Sequence, residues 1–166
     1  MTTNRVMPKR IDLGRGFDSC VGEVFLHYNA DDNSNPQNLR TVMGYNVPTW
    51  QRPLVWSVDQ NVKLIESMWL GLPIGTYTFN RKHGSKLDNL IIDGQQRMNA
   101  IELYINDGFE VFGYTYSSIT DIDKRFFRQS SRFPCYITET DDEEYLRGYY
   151  NMMNFSGTAH TEDQRA

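Results

Sequence analysis

The sequence predicts a single α+β domain, and three observations carry that prediction. Stretches of strand composition alternate with stretches whose apolar residues recur at helical spacing. One apolar run, residues 90–92, passes straight into a helical pattern, and no internal repeat or low-complexity tract interrupts the chain. With 166 residues, 39% hydrophobic and 13% aromatic, there is enough apolar surface to enclose one core.

Taken in order, residues 1–20 carry Arg5, Lys9, Arg10 and Arg15 without clear periodicity, which predicts a flexible or peripheral arm. Residues 21–166 are then the domain. "VGEVFLHYN" (21–29) has strand composition, "ADDNSNPQN" (30–38) is a loop, and "LRTVMGYNV" (39–47) is a strand ending at Pro48. A Ser57-x-x-Gln60 capping box opens a helix whose apolar face holds Val62, Leu64, Ile65, Met68 and Trp69, closed by Gly71 and Pro73. Residues 76–80 and 87–93 read as strands around a basic turn at 81–86, and a helix runs from just after Asp93 to about Asn106, closed by Gly108. Beyond it, 110–116 reads as a short strand. Residues 120–130 read as a helix with Ile122, Phe126 and Phe127 inward, and 133–139 as a strand that Pro134 places at an edge. A Thr140-x-x-Glu143 capping box predicts a last long helix, broken at Gly157.

The formal charge of −4 excludes a surface that is basic throughout, so any contact with DNA is local. Lys124, Arg125, Arg128 and Arg132, with Arg81, Lys82 and Lys86, are candidates for such a patch. Cys20 and Cys135 lack CxxC or Cys/His spacing, and His27, His83 and His160 show no ligand spacing, so no metal site is predicted from these residues. Neither a secretory leader nor a bilayer-spanning window is present in the sequence, which predicts a cytoplasmic protein without membrane contact.

Two stretches stand out chemically. In "LIIDGQQRMNA" (90–100), Asp93 stands where a helix N-cap belongs and Gln96 where its capping-box partner belongs, while Gly94 gives a tight exit from the strand. Capping leaves Arg97 and Gln95 unexplained. A helix N-terminus with an Arg in its first turn and amide donors beside it is suited to an anion. In "VPTWQRPLVWS" (47–57), Pro48 and Pro53 stiffen the backbone around Gln51 and Arg52 and so aim them.

Those two stretches, with "KLIESMWLGLPIG" (63–75) between them, resemble the N-terminal domain family of GmrSD-type modification-dependent restriction systems, itself related to the ParB/sulfiredoxin fold. The Asp-Gly-Gln-Gln-Arg at 93–97, the Gln-Arg at 51–52 and the Leu-Ile-Glu-Ser helix ending in Gly-x-Pro carry the resemblance. The tail "YYNMMNFSGTAHTEDQ" (149–164), with Asn154, fits the family's late element. The resemblance implies a ParB/sulfiredoxin-like domain that binds a nucleoside triphosphate, with Gly94, Gln95, Gln96, Arg97, Gln51, Arg52 and Asn154 around the phosphates. If the domain hydrolyses its ligand, Asp93, Gln96 and Arg97 are the implied catalytic residues. Mg²⁺ is an implied companion, although Gln95 stands where ParB-type sites carry a Glu that helps to hold the cation. Asp93, Glu66 and Glu102 are the nearest carboxylate candidates for a cation, without ligand spacing. Because the chain stops at Ala166, the nuclease domain that follows in many members is expected to be absent. The competing expectations are a DNA nickase or nuclease using the same pocket, and a non-enzymatic module, phage-encoded or bacterial, that binds a host restriction or DNA-maintenance protein.

Overall fold

The computed structural model describes residues 6–155. Its elements run β1 (Arg15–Phe17), α1 (Val21–Tyr28), β2 (Thr41–Val42), β3 (Tyr45–Asn46), α2 (Val58–Trp69), β4 (Tyr77–Asn80), β5 (Leu90–Asp93), α3 (Gln95–Ile105), α4 (Asp121–Ser130), β6 (Cys135–Thr138) and α5 (Glu143–Phe155). The strands form one mixed sheet in the order β1-β6-β4-β5-β3-β2. Strands β4 and β6 are parallel, as are β3 and β5; the other neighbours are antiparallel. The fold is α+β, as the alternating pattern predicts. No helix among the described residues is long and apolar enough to cross a membrane.

The sheet is covered on both faces, which explains why β5 is continuously apolar rather than alternating. Ile91 joins the larger core with Ile65, Met98, Ile101 and Tyr104, whereas Leu90 and Ile92 pack with Leu146, Tyr149 and Tyr150 of α5. Strand β4 obeys the same two-residue period. Tyr77 and Phe79 enter the larger core, and Thr78 meets the Tyr149 hydroxyl at 3.0 Å. Helix α2 opens on the predicted capping box. The Gln60 amide donates to Ser57 Oγ at 3.3 Å, and the Ser57 amide donates to Gln60 Oε1 at 2.9 Å.

Several expectations are corrected. Residues 21–28 are helix rather than strand, because Val21, Val24 and Phe25 recur at helical spacing and fill the core; their strand propensity yields to that packing. The predicted strand at 39–47 is a hairpin. It turns at Met43 (φ 48) and Gly44 (φ 82), positive at both central residues as a two-residue hairpin loop requires. Strand β5 begins at Leu90, since Asn89 is left-handed (φ 60). Residues 110–116 hold only the Val111–Tyr114 bridge around Phe112 and Gly113, again with positive φ, so this segment is a turn.

In α4 only Phe127 is buried, against Trp69 at 4.9 Å; Ile122 and Phe126 lie outward, 70% and 56% exposed. Strand β6 is internal rather than an edge. Pro134 precedes the strand, where its missing N–H removes no ladder bond, and its carbonyl accepts from the Tyr77 amide. The neighbour that covers β6 is β1, the sheet's outer strand, drawn from the segment read as an arm. At α5 the cap is Asp142, whose carboxylate accepts from the Tyr145 amide, while Thr140 Oγ accepts from the Asp142 amide two residues on. Gly157 and the tail beyond it lie outside the described residues.

Gly44 offers a test of the hairpin. A Cβ there would sit 2.7 Å from Asn33 Nδ2 and 3.2 Å from the His27 ring, whereas Gly84, equally left-handed (φ 80), has open space around it. Gly44→Ala should lower stability by about 2–5 kcal/mol, left-handed strain plus overpacking, and Gly84→Ala by only about 1–2 kcal/mol. Chemical denaturation of both variants checks this; equal losses would contradict the steric assignment.

Candidate functional site

Strand β5 delivers Asp93 to the sheet's end, and the chain must then reverse into α3 without leaving Tyr77. Gly94 makes that possible. It is left-handed (φ 102), and a Cβ on it would lie 2.8 Å from Tyr77 Cβ. Gly94, not Asp93, is the N-cap of α3, and no side chain caps the helix. The predicted Asp93–Gln96 capping box is therefore absent, because both side chains have stronger calls on them.

Gln96 turns away from its helix to the strap at residues 51–56. Its Nε2 donates to the Pro53 carbonyl at 3.1 Å, while its Oε1 accepts from the Val55 and Trp56 amides at 3.2 and 3.4 Å. Gln95 does the same one residue earlier: Nε2 donates to the Arg52 carbonyl at 2.6 Å and Oε1 accepts from Arg40 Nη2 at 2.9 Å. Gln51 reciprocates from the strap, donating to the carbonyls of Ile91 and Ile92 at 2.6 and 3.0 Å. All three side chains are buried. Gln95 and Gln96 each use a donor and an acceptor at once, which a carboxylate cannot supply. This accounts for amides where a first helical turn ordinarily favours acids.

Asp93 is held by Arg97. Nη2 lies 3.1 Å from Asp93 Oδ2, Nη1 donates to the Ile74 carbonyl at 2.9 Å, and the guanidinium sits 5.6 Å from the Phe133 ring centroid. Both side chains are less than one-fifth exposed. Burial lowers the Arg97 pKa from its ordinary value, opposed by the Asp93 charge. Arg52 is different: its backbone is fixed by Gln95 and by the Tyr150 hydroxyl, but among the described residues its guanidinium has no hydrogen-bond or ion-pair partner.

These groups surround a cleft of about 120 Å³. Asp93, Gly94, Gln95, Gln96, Arg97, Gln51, Arg52 and Asn154, all singled out in the sequence, line it together. Asn154 reaches it from the last turn of α5, where its Nδ2 donates to the Tyr150 carbonyl. Trp56, Ile92 and Tyr150 line it too and were not singled out as site residues. Trp56 and Tyr150 fall inside the motif stretches 47–57 and 149–164 but are apolar or aromatic residues of a kind a core also uses.

Other candidates lie elsewhere. Glu102 accepts from the Met43 amide and Glu66 is not among the cleft's lining residues, so Asp93 is the cleft's one lining carboxylate among the described residues. His27 stacks on Tyr45 at 3.8 Å, His83 is an exposed neighbour of Asp88, and His160 lies outside the described residues. The basic residues are divided between the α4 region and the β4–β5 connection; three are in ion pairs, Arg132 with Asp18, Lys124 with Asp121 and Lys86 with Glu143, and Arg81 and Arg128 lie over the Phe79 and Phe25 rings.

Comparison with known proteins places this geometry in context. Residues 31–165 match the family described as "GmrSD restriction endonuclease, N-terminal domain". No curated protein matches the sequence. Among solved structures, the C-terminally truncated chromosome-partitioning protein ParB from Caulobacter crescentus, complexed with CTP-gamma-S, is similar at a TM-score of 0.46 and 9% identity. The likeness covers 89% of this chain and 56% of that one.

The amide network makes its own prediction. Gln96→Glu keeps the size of the side chain but removes the donor to Pro53 and places a charge in a buried site. Stability should fall by about 2–4 kcal/mol at pH 7 and recover in part at pH 4–5, where the carboxyl regains a proton. Denaturation at the two pH values, referenced to wild type, measures both effects; an unchanged midpoint would show that the strap does not depend on the amide.

Proposed function

We propose, for a chain that belongs to the GmrSD restriction endonuclease N-terminal domain family, that the cleft at 93–97 holds the phosphates of a nucleoside triphosphate in a protein serving DNA restriction or maintenance. The observation that carries this reading is the pairing, on one small cleft, of an α3 N-terminus without a side-chain cap and an Arg52 guanidinium that has no partner among the described residues. The first amides of α3 have no carbonyl behind them in the helix, and the helix dipole favours negative charge there. Arg52 adds a planar donor pair matched to phosphate oxygens. A volume of about 120 Å³ is well below the roughly 300–1,000 Å³ of sites that enclose a whole small molecule. The phosphates therefore enter the cleft, and the nucleoside stays at its mouth.

The roles implied for Asp93, Gln96 and Arg97 shift accordingly. Gln96 has its donor and acceptor committed to the strap, so orienting an attacking water falls to Asp93, whose second carboxylate oxygen has no hydrogen-bond partner among the described residues. Arg97 contributes charge from behind the turn while holding Asp93 in place. The donor set of the described residues does not suit a cation held by protein alone, since Asp93 is the one lining carboxylate among them and faces a guanidinium. Mg²⁺ fits only as a companion of the nucleotide, coordinated chiefly by phosphate oxygens.

A second reading has one observation in its favour. Leu54, Val55 and Val58 are 39%, 57% and 64% exposed on and just after the strap beside the cleft, an apolar strip suited to a protein partner. In that reading the domain is a non-enzymatic module, and nucleotide turnover is absent.

Calorimetric titration with each triphosphate and Mg²⁺, alongside an assay of phosphate release, separates these possibilities. Arg52 is the informative position, because removing Arg97 would leave Asp93 buried without its partner and confound binding with folding. Arg52→Ala should keep the wild-type melting temperature and weaken triphosphate binding about tenfold or more, roughly 1.4 kcal/mol. Folded protein that binds no triphosphate, or binding indifferent to Arg52, would overturn the proposal.

A further inference from the structure

A cleft that takes only phosphates leaves the nucleoside outside it, and a nucleoside needs a surface of its own. The chain holds three tryptophans. Trp69 belongs with the larger core, meets the Phe127 ring at 4.9 Å and donates its indole N–H to the Tyr104 hydroxyl at 3.1 Å. Trp50 belongs with the smaller core, edge-on to Tyr150, with the Arg147 guanidinium 5.6 Å from its ring centroid. Trp56 joins neither core. Its backbone amide donates to Gln96 Oε1 at 3.4 Å, but among the described residues its indole N–H has no hydrogen-bond partner and its ring faces no other ring and no cation.

A tryptophan ordinarily buries roughly 150–250 Å² and finds a partner for its N–H. Trp56 instead stands half-buried at the 93–97 cleft and lines it. The strap does not need its ring as an anchor, because the backbone is held on both sides of it. Gln96 accepts from the Val55 and Trp56 amides, and Ser57 caps α2 through its box with Gln60. A fixed stem carrying a ring without a partner is a preorganised binding group. Arg52 stands four residues earlier on the same strap, at most about 14 Å of extended chain away. Both side chains belong to one cleft, so one ligand can touch both. A bare anion has no use for the indole, and an apolar ligand has no use for Arg52 or the α3 terminus. A flat ring bearing phosphates uses all three.

We infer that Trp56 is the base platform of this site: the phosphates lie at the α3 terminus and Arg52, and the nucleobase stacks on the indole at the mouth. The inference rests on the triphosphate reading of the cleft and deepens it, since it names what selects a nucleotide over any other polyphosphate. Every base has a face to stack, so a platform of this kind accepts all four. Gln95 and Gln96, whose amides could read a base edge, are engaged by Arg40 and the strap. The site therefore selects for the presence of a base rather than for its identity.

The test is calorimetric titration of the full chain with ATP, CTP, GTP, UTP and inorganic triphosphate, each with Mg²⁺, on wild type, Trp56→Ala and Trp56→Phe. Wild type should bind the four nucleotides within about tenfold of one another, and inorganic triphosphate at least about tenfold more weakly than any of them. Trp56→Ala should weaken every nucleotide about tenfold and leave inorganic triphosphate within about twofold of wild type, and Trp56→Phe should restore part of the loss. Both variants should melt near the wild-type temperature, because Trp56 lies in neither core. Fluorescence, excited beyond the nucleotides' own absorption, reads the wild-type ring directly. Nucleotide should quench the emission, inorganic triphosphate should not, and Trp56→Phe, which keeps Trp50 and Trp69, should lose the quenching. Wild type that binds neither nucleotide nor inorganic triphosphate would overturn the phosphate cleft and this inference with it. Three results would leave the phosphate cleft standing and overturn the platform alone: inorganic triphosphate bound as tightly as the nucleotides, one base preferred more than about tenfold over the rest, or nucleotide binding and quenching indifferent to Trp56. In the last case the ring belongs with the exposed Leu54 and Val55 beside it, as part of a protein-facing strip.

Discussion

The molecule depends on a set of side-chain amides that fasten an extended strap to the turn between β5 and α3. The strap follows Pro48, holds Pro53 and has no regular secondary structure from 51 to 56, so its backbone groups find no partners in a helix or ladder. Gln95 and Gln96 supply them for Arg52, Pro53, Val55 and Trp56, and the strap's own Gln51 donates to the Ile91 and Ile92 carbonyls of β5. Each bond is modest in net terms, about 1 kcal/mol, but leaving those buried groups unmet would cost more. The strap therefore stays where α3 begins, and with it Arg52.

That constraint explains how the elements around the cleft reinforce one another. Tyr150 of α5 accepts from the Arg52 amide and packs edge-on against Trp50 at 5.5 Å, so the helix on one sheet face steadies the strap that meets the other elements at the turn. Arg97 reaches across the Gly94 turn to the Ile74 carbonyl, tying α3 to the segment that leads into β4. Gly75 is part of the same arrangement, since a Cβ there would come within 2.7 Å of Arg97 Nη1. Three segments distant in sequence thus meet through a few polar groups rather than through apolar packing alone.

Much of this was legible in the sequence where local chemistry and tertiary role agree. The Ser57 and Gln60 box opens α2 as written, and the apolar run into Asp93 marks the β5–α3 junction. The residues gathered at the cleft fall in short motifs whose composition is unusual for a core, which is why they stand out. Legibility ended where tertiary packing decides. Residues 21–28 have strand composition, yet they form a helix because Val21, Val24 and Phe25 fill one side of the core. The Met43–Gly44 hairpin lacks the Asn or Asp that usually announces such a turn. In α4 a single buried ring, Phe127, sets the orientation, too little for periodicity to reveal. At the cleft, Tyr150 is brought in by α5 from nearly 100 residues beyond Arg52, a contact no spacing rule encodes.

The motif at 93–97 first suggested a capped helix with a surplus arginine, and the structure reverses that division of labour. Gly94 makes the turn, the two glutamines hold the strap, and Arg97 and Asp93 neutralise each other under it. None of these side chains caps the helix. That leaves the dipole end of α3 uncovered, with a positive strap residue beside it. If Asp93 capped α3 as its position suggests, its carboxylate would occupy the place an anion needs and repel the next one to arrive. Drawing Asp93 back against Arg97 removes both obstacles at once. The arginine of the motif then acts chiefly by keeping its own aspartate from capping the helix, and the arginine of the strap has no hydrogen-bond or ion-pair partner among the described residues.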